Sequence, residues 1–357
     1  MKISNFMTLQ SREAQKGEIE FRRKLFSQQV AGEKHFEDEL DAAAINSILA
    51  ERMKKAAADF SALKSGGMVI SPYLEIGAER CQSSLVMEND LGGAGIAADI
   101  SFDMLRACGH YRGVFGKKKE PLRVCCDANH LPFLSCSFPF VFCHQMLHHL
   151  PDPAPVAAEI LRVLAPGGHF ALQDEPYRQV AHLTLYKGAK IYSGAPRPPG
   201  RLRERLDFFF SEKSCNETAC GVIENERVTL GQWKRALSGF EVRGVKLRTV
   251  RDVESELFSP SSRFRYFFCW LFGGRISGVC RKAGAAPASY PSPEAALACP
   301  ACRGKGLEAG LVRKEDSFAC SSCFSSFPVA DGVLFLFTPG KFMELYPEIF
   351  LKADIKT

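Results

Sequence analysis

Residues 73–81, Tyr-Leu-Glu-Ile-Gly-Ala-Glu-Arg-Cys, read as a short apolar strand, Tyr73 to Ile76, that runs straight into a glycine. Gly77 allows a sharp backbone turn, so that a nucleotide-like ligand can approach the N-terminus of the next helix. Outward from this stretch, short apolar runs alternate with helical patterns, the signature of a parallel sheet built from βαβ units. Further strands are predicted at Ala94 to Ala98, Leu122 to Cys126, Phe140 to Cys143 and His169 to Gln173. Between the last two, Val156, Ile160, Val163 and Leu164 make the apolar face of a helix over residues 155–164, closed by Pro166-Gly167-Gly168. Right-handed crossovers bring the carboxyl ends of the strands to one edge, where open α/β sheets bind ligands. The fold class is α/β.

On the N-terminal side, residues 33–64 are rich in Ala, Leu, Glu and Lys, with Leu40, Ala44, Ile45, Ile48 and Leu49 at helical spacing, so residues 1–65 read as a helical extension. The sheet domain occupies 66–283. Within it, 177–240 is an irregular insertion carrying the basic stretch APRPPGRLRERLDFFF, after which a helix around Leu230 to Leu237 and strands around Val245 to Val250 and Ile276 to Cys280 complete the domain. The Ala/Pro/Ser-rich segment 284–296 reads as a linker to a separate small module, 297–340, and a tail, 341–357.

A chain of 357 residues with 46% apolar content can bury more than one core, and a net charge of +6 permits an anionic partner without demanding one. The first residues, MKISNFMTLQSREAQKGEIEFRRK, lack the apolar stretch of a secretory signal, and no apolar run is long enough to span a membrane. With fourteen cysteines, these features lead us to expect a reducing, cytoplasmic setting, where free thiols and thiolate metal sites are at home.

Asp99 closes the second strand some twenty residues after the glycine, where a carboxylate can accept both hydroxyl protons of a ribose; the alternative is an N-cap for the helix at Phe102. Asp127-Ala128 ends the third strand and Cys143-His144-Gln145 the fourth. In order, Leu-Glu-Ile-Gly at 74–77, Asp-Ile-Ser-x-x-Met-Leu at 99–105, Asp-Ala-x-x-Leu-Pro-Phe at 127–133, Leu-His-His-Leu-x-Asp-Pro at 147–153 and Arg-Val-Leu-x-Pro-Gly-Gly at 162–168 resemble the class I S-adenosylmethionine (SAM)-dependent methyltransferases. More narrowly, they resemble the type 11 family that includes the ubiquinone and menaquinone C-methyltransferases. The resemblance is strong over residues 70–176 and weak over 177–283.

It implies a Rossmann-like sheet with SAM as cofactor. By the same resemblance Glu75, Gly77 and Ala78 shape the methionine pocket, Asp99 binds the ribose, and Ile100 and Met104 flank the adenine. Asp127 with Ala128 holds the adenine edge, and His144 lines the cofactor near the sulfonium. The departure lies in the glycine loop, where Glu79 and Cys81 stand in place of the family's second and third glycines. Either these side chains block the backbone's approach to the cofactor, or Arg80 pairs with the methionine carboxylate and Glu79 with its ammonium.

Methyl transfer to a hydroxyl or carbon acid needs a base, and His148 or His149 is the candidate; the alternative is a pair that caps a turn. Glu175 is expected at the cleft edge, binding the acceptor, or else solvated. Neither Asn-Pro-Pro-Tyr nor Pro-Cys follows the fourth strand, which argues against amino methylation of bases and cytosine C5 chemistry. The arginines 197, 201, 203 and 205 either receive a phosphate-bearing substrate or form a solvated loop. The run Phe264 to Phe272 either faces a lipid-like acceptor or a membrane surface, or forms a buried element before the last strand, which is the expectation adopted.

Finally, Cys299-x-x-Cys302 and Cys320-x-x-Cys323, 17 residues apart, have the spacing of a tetrathiolate structural zinc site. With Phe-Pro-Val-Ala-Asp-Gly-Val-Leu after them, they resemble the small zinc-ribbon activator of tRNA, rRNA and release-factor methyltransferases, here fused in cis. The leading expectation is a methyltransferase acting on an oxygen or carbon of a small-molecule or lipid-like acceptor. The alternatives are an RNA or translation-factor methyltransferase that uses the ribbon for recruitment, and a non-catalytic SAM-fold binding protein.

Overall fold

The computed structural model describes residues 2–35, 40–187, 201–212, 222, 228–249 and 251–352. Parallel strands β1 (Tyr73–Ile76), β2 (Gly95–Asp99), β3 (Leu122–Cys125), β4 (Phe138–His144) and β5 (Leu164–Tyr177) lie in the order β3-β2-β1-β4-β5. The order reverses between β1 and β4, which opens a crevice at their carboxyl ends. A short parallel pair, β6 (Tyr186–Lys187) and β7 (Ser211–Glu212), stands outside the sheet. Beyond β5 the sheet continues antiparallel through β10 (Gly274–Arg281), β8 (Val242–Arg248) and β9 (Glu254–Glu256).

Side chains alternate across each strand, so the sheet buries two faces. Leu74 and Ile76 join Val156, Ile160 and Val163 of helix α6 (Ala154–Val163) on one side. Tyr73, Phe140 and Phe142 meet Phe60 of helix α2 (Ala42–Ser65) on the other, the Phe60 and Phe142 rings lying 4.8 Å apart. Helix α2 starts at Ala42, capped by Asp41, whose carboxylate accepts the Ala44 N–H. It is the helix expected over 33–64; residues 36–39 lie outside the described residues. Ahead of it, α1 (Lys2–Ala31) buries Ile19, Phe21 and Leu25. Three short helices, α3 (Gln82–Asn89), α4 (Phe102–Arg106) and α5 (Cys108–Val114), fill the first two crossovers.

Three expectations are corrected. The linker does not lead to a detached module: strands β11 (Leu311–Arg313), β12 (Ser317–Cys320), β13 (Ser326–Ala330) and β14 (Val333–Phe335) extend the main sheet. Strand β14 runs parallel to β3, with Leu334 opposite Val124. An uncovered β3 would present a row of unpaired backbone groups, and β14 removes that edge. Cys299, Cys302 and Cys320 share one apolar cluster with Leu131, Phe133 and Phe138, while Arg303 reaches Glu159 of α6 at 2.9 Å.

The residues expected as a tail from 341 onward fold into two helices, Pro339–Leu345 and Pro347–Lys352, around a fully buried Tyr346. Its hydroxyl donates to the Ile100 carbonyl at 2.5 Å and accepts the Phe102 N–H at 3.0 Å. The aromatic run is not a buried element but a surface helix, Arg263–Phe272, in which Cys269 is the buried side chain among the described residues. It packs on β9 at the antiparallel end of the sheet. Of the basic patch, Arg197 lies outside the described residues, as do the side chains of Arg201, Arg203 and Arg205.

Candidate cofactor and acceptor site

Gly77 has φ +72°, and a Cβ there would fall 2.4 Å from Cγ of Met146, so this position requires glycine twice over. Glu79 and Cys81 also sit in the left-handed region, at φ +46° and +60°. The loop thus follows a path suited to three alternating glycines with only one present. Each non-glycine residue there carries strain on the order of 1–2 kcal/mol. The loop is held by Gly77 N–H and Ala78 N–H, which both donate to the Ala98 carbonyl, and by Glu79 N–H, which donates to Asp99 Oδ2 at 2.9 Å.

Asp99 accepts the Ser101 N–H through its other oxygen at 2.8 Å. Burial pushes its carboxyl up to about 6 against these two hydrogen bonds. The N-cap of α4 is Ser101, not Asp99. At the end of β3, Asp127 accepts the backbone N–H and the side-chain amide of Asn129, both at 2.9 Å, with Lys341 Nζ 3.8 Å away. Gly77, Asp99, Ile100, Asp127, Ala128 and His149 line a cavity of about 100 Å³, roofed by Ala14, Gln15 and Glu18 of α1. That is small beside the roughly 300–1,000 Å³ of ordinary ligand pockets. The roof helix sets the room.

The other expected cofactor residues stand outside that cavity. Glu75, Ala78 and Met104 are buried. Glu75 accepts the Ser84 N–H at 3.0 Å and the Ser84 hydroxyl at 2.5 Å, fixing α3 beneath the loop, and burial pushes its carboxyl up to about 8. Glu79 meets Arg22 of α1 at 2.8 Å and Arg80 at 3.4 Å. Burial alone would raise its carboxyl, but Arg22, Arg80 and Arg52 bring it down to about 2. Arg80 is 6% exposed, lies over the Tyr111 ring at 5.8 Å, and its Nε has no hydrogen-bond partner among the described residues. His144 sits 3.5 Å from Asp174, whose carboxyl is held at about 2 by that hydrogen bond and by Lys55.

Glu175 is corrected most sharply. Expected to bind the acceptor or stand in solvent, it is fully buried. Its Oε1 accepts the N–H of Met146 at 2.8 Å and of Leu147 at 3.0 Å, and its Oε2 takes His148 N–H at 3.2 Å and His148 Nδ1 at 2.9 Å. Burial works to raise this carboxyl, but the His148 contact and the backbone donors hold it below its ordinary value. A carboxylate at Nδ1 fixes the tautomer with the proton on that nitrogen. The His148 and His149 rings lie 4.2 Å apart, and His149 carries the pair to the cavity wall. Sequence reasoning missed this anchor because Gln-Asp-Glu-Pro after an apolar run reads as loop.

At the far end of the sheet, the four sulfurs of Cys299, Cys302, Cys320 and Cys323 lie within 4.8 Å of one another. Backbone N–H groups of Ser322 and Cys323 point at Cys320 Sγ, at 3.3 and 3.4 Å. Four converging thiols with amide donors suit a thiolate-preferring ion such as zinc.

Residues 74–172 match the family model of a methyltransferase domain. The matched region contains the crevice, both cavity aspartates and the histidine pair. A chloroplastic methyltransferase of Arabidopsis thaliana, itself uncharacterised, is 33% identical over 159 residues, covering 42% of each chain. The 27-O-demethylrifamycin SV methyltransferase of Amycolatopsis mediterranei is 46% identical over 48 residues, 13% of this chain and 18% of the relative. The chain thus spans less than half the length of these curated relatives. Among solved structures, a Haloferax volcanii complex of the Trm112 methyltransferase activator with a methyltransferase aligns at 17% identity with a TM-score of 0.39, over 69% of this chain and 96% of that one. No helix among the described residues is long and apolar enough to cross a membrane.

Proposed function

We propose that this chain is a SAM-dependent methyltransferase acting on an oxygen or carbon of a small-molecule or lipid-like acceptor. The observation that carries the reading is the pair of carboxylates, Asp99 and Asp127, at the ends of adjacent strands on one apolar cavity in the methyltransferase region. That donor set suits an adenosine: Asp99 retains lone pairs for a ribose diol, Asp127 can accept an adenine amino group, and Ile100 and Ala128 offer apolar walls. SAM, when bound, supplies an electrophilic methyl group on a sulfonium. The methionine half would meet Gly77, Met146 and the Glu79–Arg80 pair, and its entry requires α1 to give way above Glu18.

The chain's own contribution to the transfer is alignment and proton removal. Glu175 is a positioning residue that holds the 146–148 turn and the His148 tautomer, and His149, packed on His148, lines the cavity where an acceptor proton would leave. Glu175→Gln is therefore expected to lower kcat roughly 10–100-fold, no more than the low end of what general-base catalysis supplies because the histidines themselves remain, while leaving SAM affinity unchanged. An unchanged kcat, or a matching loss of SAM affinity, would remove Glu175 from the catalytic geometry.

For the four thiols we propose one zinc ion, closed to substrate and structural in role. The ribbon's place along β3, with its C-terminal helices at Ile100 and Asp127, supports a scaffolding role over recruitment of RNA or a translation factor. The acceptor class is tested by transfer of labelled methyl from SAM into separated lipid, metabolite, RNA and protein fractions. Label in the lipid or metabolite fraction is expected; label in RNA or protein alone would favour the recruiting alternative. Binding of SAM with no transfer anywhere would favour a non-catalytic role.

A further inference from the structure

The helix Arg263–Phe272 shows the protein a narrow face and solvent a broad one. Phe264 is 75% exposed, Phe267 51% and Trp270 39%, and the Phe267 and Trp270 rings pair on the surface at 5.5 Å. Spaced three residues apart, these side chains share one side of the helix. Arg263 and Arg265 are exposed beside them, the helix carries no acidic residue, and neither arginine forms an ion pair among the described residues.

The neighbouring strand of chain extends the apolar surface. Val180 and Ala181 N–H groups donate to the Leu271 carbonyl, and Leu183 and Leu185 N–H groups to the Phe209 and Phe210 carbonyls. Leu183 and Leu185 are themselves 62% and 71% exposed. This lobe follows directly on β5, the strand that carries Asp174 and Glu175.

Isolated exposed apolar residues are ordinary on soluble proteins, but a contiguous aromatic face flanked by unpaired arginines is not. Aromatic rings suit the boundary between headgroups and acyl chains, tryptophan especially, and arginines near an anionic surface are attracted to it. A ten-residue helix lies in that boundary and cannot cross it. We infer that the Phe264–Phe267–Trp270 face, with Arg263 and Arg265, docks the protein peripherally on an anionic phospholipid surface. The inference goes beyond the methyl-transfer reading and stands whether or not that reading holds.

The test is co-sedimentation of the full chain with phosphatidylcholine vesicles, with and without phosphatidylglycerol, alongside tryptophan emission. Of the two tryptophans, Trp233 is fully buried, so a blue shift on adding vesicles reports Trp270. The wild type is expected to bind phosphatidylglycerol vesicles with a blue shift, more weakly as salt rises. Phe264→Ser/Phe267→Ser/Trp270→Ser, all at exposed positions, should melt like wild type and lose about tenfold or more of the partitioning. Arg263→Glu/Arg265→Glu should lose the preference for phosphatidylglycerol. Absence of wild-type binding would overturn the inference, and so would equal binding by the triple variant. So would a concentration-dependent dimer abolished by the same triple substitution, which would assign the face to a second copy of the chain.

Discussion

Removing the metal from the four-cysteine site is expected to unfold the sheet domain along with the ribbon. The ribbon holds no core of its own: Cys299, Cys302 and Cys320 belong to the apolar cluster of Leu131, Phe133 and Phe138, and β14 is bonded to β3. Structural zinc contributes on the order of 10–16 kcal/mol in small domains, as much as the roughly 5–15 kcal/mol by which whole domains are stable. Chelation, or Cys302→Ser with Cys320→Ser, should therefore lower a single cooperative melting transition by tens of degrees, and metal analysis of the intact protein should give about one zinc per chain. Two separate transitions, the larger unmoved by chelation, would show that the ribbon folds independently.

The second large effect concerns Glu75. Its carboxyl, pushed from its ordinary 4.5 up to about 8 by burial, is a group whose folded value is raised. The stability it contributes is thus fully present below pH 4.5 and lost as pH rises through about 8. At about 1.4 kcal/mol per pH unit of displacement, holding it charged at pH 9 costs on the order of 5 kcal/mol. Asp99, pushed from 3.8 up to about 6, adds a loss that is complete by about pH 6. The wild-type Tm should fall from pH 5 to about 8 and level off above it. Glu75→Gln can still accept both Ser84 hydrogen bonds and should remove the portion of the fall above pH 6, melting higher than wild type at pH 9. Equal slopes for the two proteins would show that Glu75 ionises freely where it stands.

What the sequence made legible follows from how local each signal is. Strand β1 is read without error, and β2, β3 and α6 within a residue at either end, because apolar period and turn residues are adjacent in the chain. Strand β4 and, more so, β5 run longer than read, since backbone pairing continues past the apolar stretch: Glu175 to Tyr177 pair with β10 beyond a register shift. The pairing of Leu334 with Val124 joins residues about 210 positions apart, and no local pattern encodes it. Helix α1 falls within the helical extension read over 1–65, but its place is not legible, because Ile19, Phe21 and Leu25 are sparse among charges; the helix sets Glu18 on the cavity and Arg22 on Glu79. In the loop, the missing glycines leave open at the sequence level whether Glu79 and Cys81 block the backbone's approach or Glu79 and Arg80 bind the ligand. The backbone keeps left-handed turns at Glu79 and Cys81, and side-chain identity alone conceals this.

The site divides the same way. Asp99, Asp127 and His149, which sit at strand ends or just beyond one, line the cavity, while the burial of Glu175, expected to bind the acceptor or stand in solvent, is not legible because its partners are backbone groups 27–29 residues earlier. The account rests on the cavity between α1 and the strand ends being an adenosine site. Isothermal titration of the purified chain with SAM tests it most directly. The account predicts saturable binding near one equivalent, weakened roughly 10–100-fold by Asp99→Asn, the range expected for charge-assisted hydrogen bonds of about 1.5–3 kcal/mol. No measurable binding by the wild type, or the same affinity in Asp99→Asn, would contradict it.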